Sequence, residues 1–587
     1  MALLRSSVRP RYAPNSLRMF VFNLKKSISS FGENVCLRKR YTSMTPTHEE
    51  FTPDQEALLS RFVTNTKGSI FALHNLPEVV KGALFSRYSR STLGLRTLLL
   101  REFIMNEEES WFKDVVGKAS QDGAEEQYIA IKRAQNFYDR VLYNYGDDSI
   151  AELGGAHLAI ENISMLAAKA IEDCRIGGSP LEKSTRYAYF DQKVGGEYLF
   201  HREAVLMTSA WRPLYIATCN MLFDTYSKLH ASLMDFMSEK YPRDPEIAKG
   251  AYAAAIRAKV LDCVRGLLPA SALTNMGLFG NGRFFEGMLH KLQCENLAEL
   301  NDIGKAAYEE LSKVIPSFVR RAEPCHKTHR SYSEFQESMR EDIQVMSSQV
   351  LLEEEEVHEP YVRLVSCDPE AVIKIAAALL YKDSDKSFEE LLEYCRELDQ
   401  EEIARILDSA VSARQQRRHK SPRALENALF TFEFLADFGA YRDFQRHRML
   451  TQERQLLTCN HGYYIPEEIV EAGFEKEYRG AMDEAKAAFD TISKELPEEA
   501  QYVVPMAYNI RWYWTLNLRS VQWLTELRSQ AAGHTCYRRM AQQMAHCIEE
   551  KIPALKRFLG FVDYEERPVG RLEQEVRSEK KVAALTP

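Results

Sequence analysis

Apolar positions along the chain follow two rhythms. Residues 247–268 (IAKGAYAAAIRAKVLDCVRGLL) and 472–496 (AGFEKEYRGAMDEAKAAFDTISKEL) carry helix-forming residues with apolar side chains three and four apart, which predicts a helix in each. HLAIE (157–161) and FTFEF (430–434) are short apolar or alternating runs suited to strands, and a second helical pattern follows each. Asn162 and Asp437 stand where N-caps are expected, and Gly177-Gly178 would stop the first of these helices. The chain therefore reads as helix-rich α+β.

These patterns occur twice. LLPASALTNMGLFGNGRFFEGMLHKL (267–292) aligns without a gap to VVPMAYNIRWYWTLNLRSVQWLTELR (503–528), setting Pro269 on Pro505, Asn281 on Asn517 and Arg283 on Arg519. ELGGAHLAIENISMLAAKAIEDCRI (152–176) matches ENALFTFEFLADFGAYRDFQRHR (426–448) in the order of its elements. Self-similarity at this scale predicts two tandem copies of one unit, arranged as a pseudo-dimer. The order expected is repeat one (66–320), an acidic connector (321–365) holding the run Glu353 to Glu356, repeat two (366–565) and a charged tail (566–587).

Composition narrows the class. At 587 residues the chain exceeds what one core usually organises, and it has no uninterrupted apolar stretch near the roughly 18 residues that a membrane-spanning helix needs. A net charge of −8 argues against binding a polyanion over the whole surface, so nucleic acid is an unfavoured partner, although local basic clusters remain open. Eleven cysteines without a C-x-x-C pair suggest neither a zinc ribbon nor a disulfide framework. Residues 1–45 differ: Arg5, Arg9, Arg11, Arg18, Lys25, Lys26, Arg38, Lys39 and Arg40 face a single acid, Glu33, among interspersed serines. That pattern resembles a mitochondrial transit peptide and predicts delivery to the matrix, with a disordered basic tail as the alternative.

Two stretches carry candidate chemistry. In repeat two a helix ends in Arg442, Arg446, His447 and Arg448, with Arg454 close behind. Guanidinium forks match phosphate and carboxylate oxygens, and cations are favoured at a helix C-terminus; a solvated basic helix end is the alternative. In repeat one Ser179, Glu182, Ser184, Arg186 and Tyr187 offer donors and an acceptor at the spacing a sugar phosphate needs, against a polar turn entering a strand. Other signals are weaker. Gly280-x-Gly282 is followed by Phe285 where a dinucleotide fingerprint needs glycine, and Cys325, His326 and His329 lack a second ligand pair, so no metal is expected. Trp512, Tyr513 and Trp514 read as core and interface.

Taken together, the two stretches resemble the flavin-dependent (ThyX-like) thymidylate synthases, whose signature is Arg-His-Arg followed by Ser-x-Asn-Glu-x-Ser-x-Arg-Tyr. Arg446-His447-Arg448 is similar to the first half, and Ser179, Glu182, Ser184, Arg186 and Tyr187 to the second. YGDDSIAEL (145–153) resembles a further family stretch through Gly146, Ser149 and Glu152, and NLRSVQWLTELR (517–528) resembles a family helix, with Arg538 ten residues on. The departures are specific. Repeat one has Cys174-Arg175-Ile176 in place of Arg-His-Arg, and repeat two sets Thr451, Glu453, Arg454, Leu456 and Thr458 across the second half.

The resemblance implies a composite site between repeats. Arg446, His447, Arg448, Asn517, Arg519 and Arg528 would bind FAD, while Ser179, Glu182, Ser184 and Arg186 would bind the nucleotide dUMP. Arg538 would stabilise charge developing on the pyrimidine. NADPH and methylenetetrahydrofolate are the implied co-substrates, dTMP the product, and a homodimer of two-repeat chains the implied assembly. Two other readings follow from the broken motifs: a catalytically inactive mitochondrial binding or assembly protein, or a flavoenzyme acting on uracil in another substrate such as RNA.

Overall fold

The computed structural model describes residues 50–89, 91, 93–105, 151–350 and 359–585. The basic segment 1–45, Gly146, Ser149 and the acidic run 353–356 lie outside the described residues. The chain divides into two compact units, up to His74 and from Asn75 onward. In the first, a helix at Pro53–Leu59 is closed by a capping box from Thr52 and Gln55, and Val63 bridges Leu73.

The second unit contains repeat two and all of repeat one from Asn75 onward. Repeat one runs through strand β1 (Gly155–Ser164), helix α1 (Met165–Glu172), β2 (Gly178–Glu182), the long α2 (Arg212–Lys240), α3 (Lys249–Val264), β3 (Leu273–Asn281), α4 (Gly282–Gln293) and α5 (Ala298–Val314). Its antiparallel sheet has the order β1-β3-β2. Helix α6 (Lys327–Ser347) then occupies the stretch read as connector. Repeat two gives β4 (Tyr361–Cys367), α7 (Ala371–Tyr381), β5 (Leu429–Asp437), α8 (Phe438–Phe444), β6 (Thr451–Arg454), α9 (Glu475–Ile492), β7 (Asn509–Asn517), α10 (Leu518–Arg528), α11 (Thr535–Lys551) and α12 (Leu572–Leu585). Its sheet is β4-β5-β7-β6, so the same three-strand order recurs with β4 added at one edge.

Strand register tests the alignment of the copies residue by residue. Ser179 pairs with Phe279 and Thr451 with Thr515; Glu182 pairs with Met276 and Arg454 with Trp512. The step that carries Pro269 to Pro505 also carries Phe279 to Thr515 and Met276 to Trp512. Thr451 and Arg454 therefore occupy the places of Ser179 and Glu182.

One capping assignment needs correction. Asp437 caps α8, accepting from the Ala440 amide at 2.8 Å, but Asn162 caps nothing. It lies at φ 58° where the β1–β3 register slips between Ile160 and Ile163. The extra residue of this bulge moves the cap to Ser164, whose hydroxyl accepts from the Ala167 amide at 2.9 Å.

The core of repeat two follows the two-residue strand period. Phe430, Phe432 and Phe434 face Leu516, Trp514 and Trp512 inside, Phe434 lying 5.0 Å from Trp512 at 10° between ring planes. Tyr513, between the tryptophans, is 41% exposed. Trp512 and Trp514 are thus core, as read from the sequence, whereas the strand period turns Tyr513 outward.

The repeats meet at the start of the gaplessly matched stretches 267–292 and 503–528. Pro269 and Pro505 form an antiparallel bridge; the Ala270 amide donates to the Val504 carbonyl and the Met506 amide to the Leu268 carbonyl, each at 2.9 Å. The alignment carries each of these bonds onto the other. Tyr502 reinforces the join by donating at 2.7 Å to Glu299, a buried carboxylate that also accepts from the Ser164 amide and hydroxyl.

Candidate functional site

Strand β2 ends at Glu182, whose side chain is wholly buried. Three cations converge on it. Lys169 stands in helix α1, with its Nζ 2.9 Å from Glu182 Oε2 and in contact with Glu172 of the same helix. Arg442 of α8 donates to Glu182 Oε1, and Arg446 lies 3.8 Å away with a side chain that is 38% exposed. Burial alone would raise the Glu182 pKa, but Arg442 and then Lys169 outweigh it and bring the value down to about 2. The Arg442 guanidinium also sits 2.9 Å and 3.2 Å from the sulfurs of Met165 and Met506, one from each repeat. Arg448 donates to the Gly178 carbonyl and, at 3.2 Å, to the Ser179 hydroxyl. Residues of the two half-signatures are thus in direct contact across the repeats.

A second cluster adjoins the first. Arg186 is buried and donates two bonds of 2.6 Å to Asp262 of α3 and one of 3.0 Å to the Tyr537 hydroxyl. Arg528 closes the last turn of α10, with its guanidinium 5.5 Å from the Tyr537 ring, and donates at 3.0 Å to His447 Nε2. Burial first, and then the Arg528 charge, hold the His447 pKa well below its ordinary value. The neutral ring accepts on Nε2, which leaves its proton on Nδ1. Arg528 is itself lowered by burial, and no carboxylate lies within ion-pair distance of it among the described residues.

The other residues named from the sequence have local partners. The Ser184 hydroxyl accepts from the Arg186 amide at 3.2 Å. Asn517 caps α10, accepting from the Ser520 amide at 2.9 Å, as Asn281 does for Phe284 on α4 at 2.8 Å. Arg519 pairs with Glu426 at 2.6 Å, and its counterpart Arg283 pairs with Glu152 at 2.8 Å, so both copies keep this ion pair. Arg538 donates to the carbonyls of Ser529 at 2.8 Å and Glu565 at 2.7 Å.

Sequence reasoning did not single out Lys169, Asp262 or Tyr537. A lone lysine within MLAAKAIE was the available signal for the first; the other two had none, because their partners lie far along the chain. Among the described residues, no group of three or more His, Cys, Asp or Glu side chains converges as metal ligands would. His329 instead stacks on His290, with ring centroids 5.1 Å apart. Among the described residues, no helix is long and apolar enough to cross a membrane.

A cleft of about 770 Å³ opens beside Arg186, Arg528 and Tyr537 and is walled by the start of α12. Eight arginine or lysine side chains line it, against two carboxylates.

This duplicated sheet-and-helix unit, with opposed half-signatures at the join, matches a known family twice. The model of the thymidylate synthase complementing protein family covers residues 106–317 and again 363–554. UPF0159 proteins of Chlamydia pneumoniae and Chlamydia muridarum are each 53% identical to the chain, covering 90% of it and 98% of their own length. A UPF0159 protein of Thermoplasma acidophilum is 32% identical over 86% of the chain and 99% of its own length. The chain belongs to the thymidylate synthase complementing protein family, and it carries the family unit in duplicate.

Proposed function

We propose that the chain is a flavin-dependent thymidylate synthase whose site is shared between its repeats, which form a pseudo-dimer about Pro269 and Pro505. The observation that carries this reading is the contact of Arg446 and Arg448, from repeat two, with Glu182 and Ser179, from repeat one. The donor set suits anionic phosphates. Arg446 is partly exposed with its nearest carboxylate at 3.8 Å, and Arg528 is a half-buried cation with no carboxylate within ion-pair distance among the described residues. Bound FAD would supply hydride drawn from NADPH, and methylenetetrahydrofolate the carbon, for conversion of dUMP to dTMP.

The chain's own groups would divide the remaining tasks. Arg446 and Arg448 would hold flavin phosphates, while Ser179 and Ser184 offer hydroxyls to the nucleotide. Arg528, low in solvent and donating towards His447, is suited to stabilising negative charge on the pyrimidine; Arg538, bonded to two carbonyls, would act through the fold around it. Glu182 and Arg186 already hold charged partners and would position β2 and the turn after it.

The absorption spectrum of the purified protein tests the reading. A protein that is yellow, or becomes so with FAD, and loses flavin in Arg446→Ala supports it. One that stays colourless with FAD favours the second reading, an inactive binding or assembly protein. That alternative draws on the bidentate commitment of Arg186 to Asp262 and on Cys174-Arg175-Ile176 in repeat one.

Two further parts of the proposal have their own assays. Delivery to the mitochondrial matrix rests on the basic, serine-bearing segment 1–45 and is read by fusing that segment to a fluorescent reporter. A homodimer of chains would provide four units and is read by light scattering.

A further inference from the structure

Tyr537 stands where candidate groups of the two repeats meet. It lies in the first turn of α11 and is only 6% exposed, yet it lines the cleft beside Arg186 and Arg528. Its ring is held on several sides. The rings of Phe444 and His534 have their centroids 6.2 Å and 6.3 Å away, and the guanidinium groups of Arg186 and Arg528 each lie 5.5 Å from the Tyr537 centroid. A Cβ on Gly533 would stand 2.7 Å from Tyr537 Cε2, so glycine is what lets the backbone pass so close to the ring. Packing of this kind fixes the place of the hydroxyl.

That hydroxyl has a proton still to give. Arg186 commits Nε and Nη2 to Asp262 and donates from Nη1 to the Tyr537 oxygen at 3.0 Å. Arg528 also acts on this oxygen through a side-chain hydrogen bond. A phenol accepts on its oxygen lone pairs and donates through one O–H. Here the lone pairs serve guanidinium groups, and among the described residues no acceptor takes the O–H. A buried donor without an acceptor is costly, and a ligand atom that accepts removes the cost. Arg528 has only donors as well, so this part of the wall offers hydrogens to a ligand and withholds lone pairs.

We propose that Tyr537 selects the base of the nucleotide, donating its O–H to the ring carbonyl oxygen of uracil that an amino group replaces in cytosine. The inference rests on the synthase reading, in which Arg528 faces the pyrimidine. Uracil presents an acceptor at that position and cytosine a donor, so cytosine would set donor against donor next to a cation. The neutral hydroxyl suits a carbonyl, whereas the phosphate is better matched by guanidinium forks. The discrimination exceeds the worth of one hydrogen bond, because the wrong base leaves groups on both sides unpaired.

Equilibrium titration of the full chain, supplied with FAD, by dUMP and by dCMP tests this in wild type and in Tyr537→Phe. The substitution removes one oxygen and keeps the packed ring; thermal melting and flavin content, measured alongside, report on the fold and on the cofactor. The expected wild type binds dUMP about tenfold or more tightly than dCMP. In Tyr537→Phe, dUMP binding should weaken about fivefold or more, with dCMP binding unchanged or tighter. A wild type that binds the two nucleotides equally overturns the proposal without recourse to the variant. So does unaltered dUMP binding in Tyr537→Phe, or an equal weakening for both nucleotides, which would make Tyr537 a support for Arg186 or a phosphate contact. A wild type that binds neither nucleotide removes the synthase reading and this inference with it, whereas dUMP binding that survives unchanged in the variant removes only the role of Tyr537.

Discussion

Replacing Glu182 by glutamine keeps the shape of the side chain but removes the charge on which Lys169 and Arg442 converge. Holding that carboxyl near pKa 2, against an ordinary 4.5, corresponds to about 3 kcal/mol of folding free energy. The general cost of stranding buried cations, about 3–5 kcal/mol, agrees with this. The pH dependence has a definite sign. Because the folded-state pKa is depressed, the contribution is fully present above about pH 4.5 and is lost as pH falls towards 2.

Urea unfolding of wild type and Glu182→Gln, followed by tryptophan fluorescence, should therefore differ by about 3 kcal/mol at pH 7, and by less than half of that near pH 3. Adding Lys169→Met to both backgrounds should recover part of the loss, since one stranded cation is then gone. A difference below about 1 kcal/mol that does not change with pH would refute the account of Glu182 as the neutralising centre of the join.

Three further outcomes follow from the same geometry. His447 should stay neutral through pH 6: its depressed pKa means that stability falls as pH drops below the ordinary histidine value, and His447→Gln, which retains an acceptor for Arg528, should flatten that slope in thermal melts. Asp262→Asn strands Arg186 and should cost about 3 kcal/mol in denaturant unfolding, whereas replacing the exposed Glu475 should cost under about 0.5 kcal/mol. In Gly178→Ala the new Cβ would meet the Phe284 ring at 2.3 Å, so a loss of about 1–3 kcal/mol and weaker nucleotide binding through displaced Ser179 are expected from melting and titration.

The repeat and its strands were legible because period and spacing survive where identity does not. Trp512, Tyr513 and Trp514 alternate between core and exposed face as their spacing requires, and Pro269 and Pro505 mark the same point in both copies. The cap at Ser164 was hidden because a bulge leaves no trace in hydrophobic periodicity; only the left-handed backbone of Asn162 discloses it. The candidate site could be read in sequence only as two half-signatures, not as a network. Glu182 and Arg186 look equally available in sequence, yet each is engaged by groups from distant stretches: Arg442 for one, Asp262 and Tyr537 for the other. Arg528 and Arg538 lie ten residues apart and read alike as arginines. Helix geometry turns the first towards His447 and the second towards main-chain carbonyls.

The matched register of β2 and β6 has a bearing on stoichiometry. In a symmetric assembly of identical units every substitution is made on both sides of the axis, so ligand places come in pairs. Here Glu182 and Arg454 hold the same position with opposite charge, and Arg186 has Thr458 as its counterpart. A nucleotide seated with the help of the first set has no mirror-image seat on the second. Joining two copies in one chain thus releases each face to take a separate part. Saturation should count one substrate equivalent per polypeptide, half of what the number of folded units suggests.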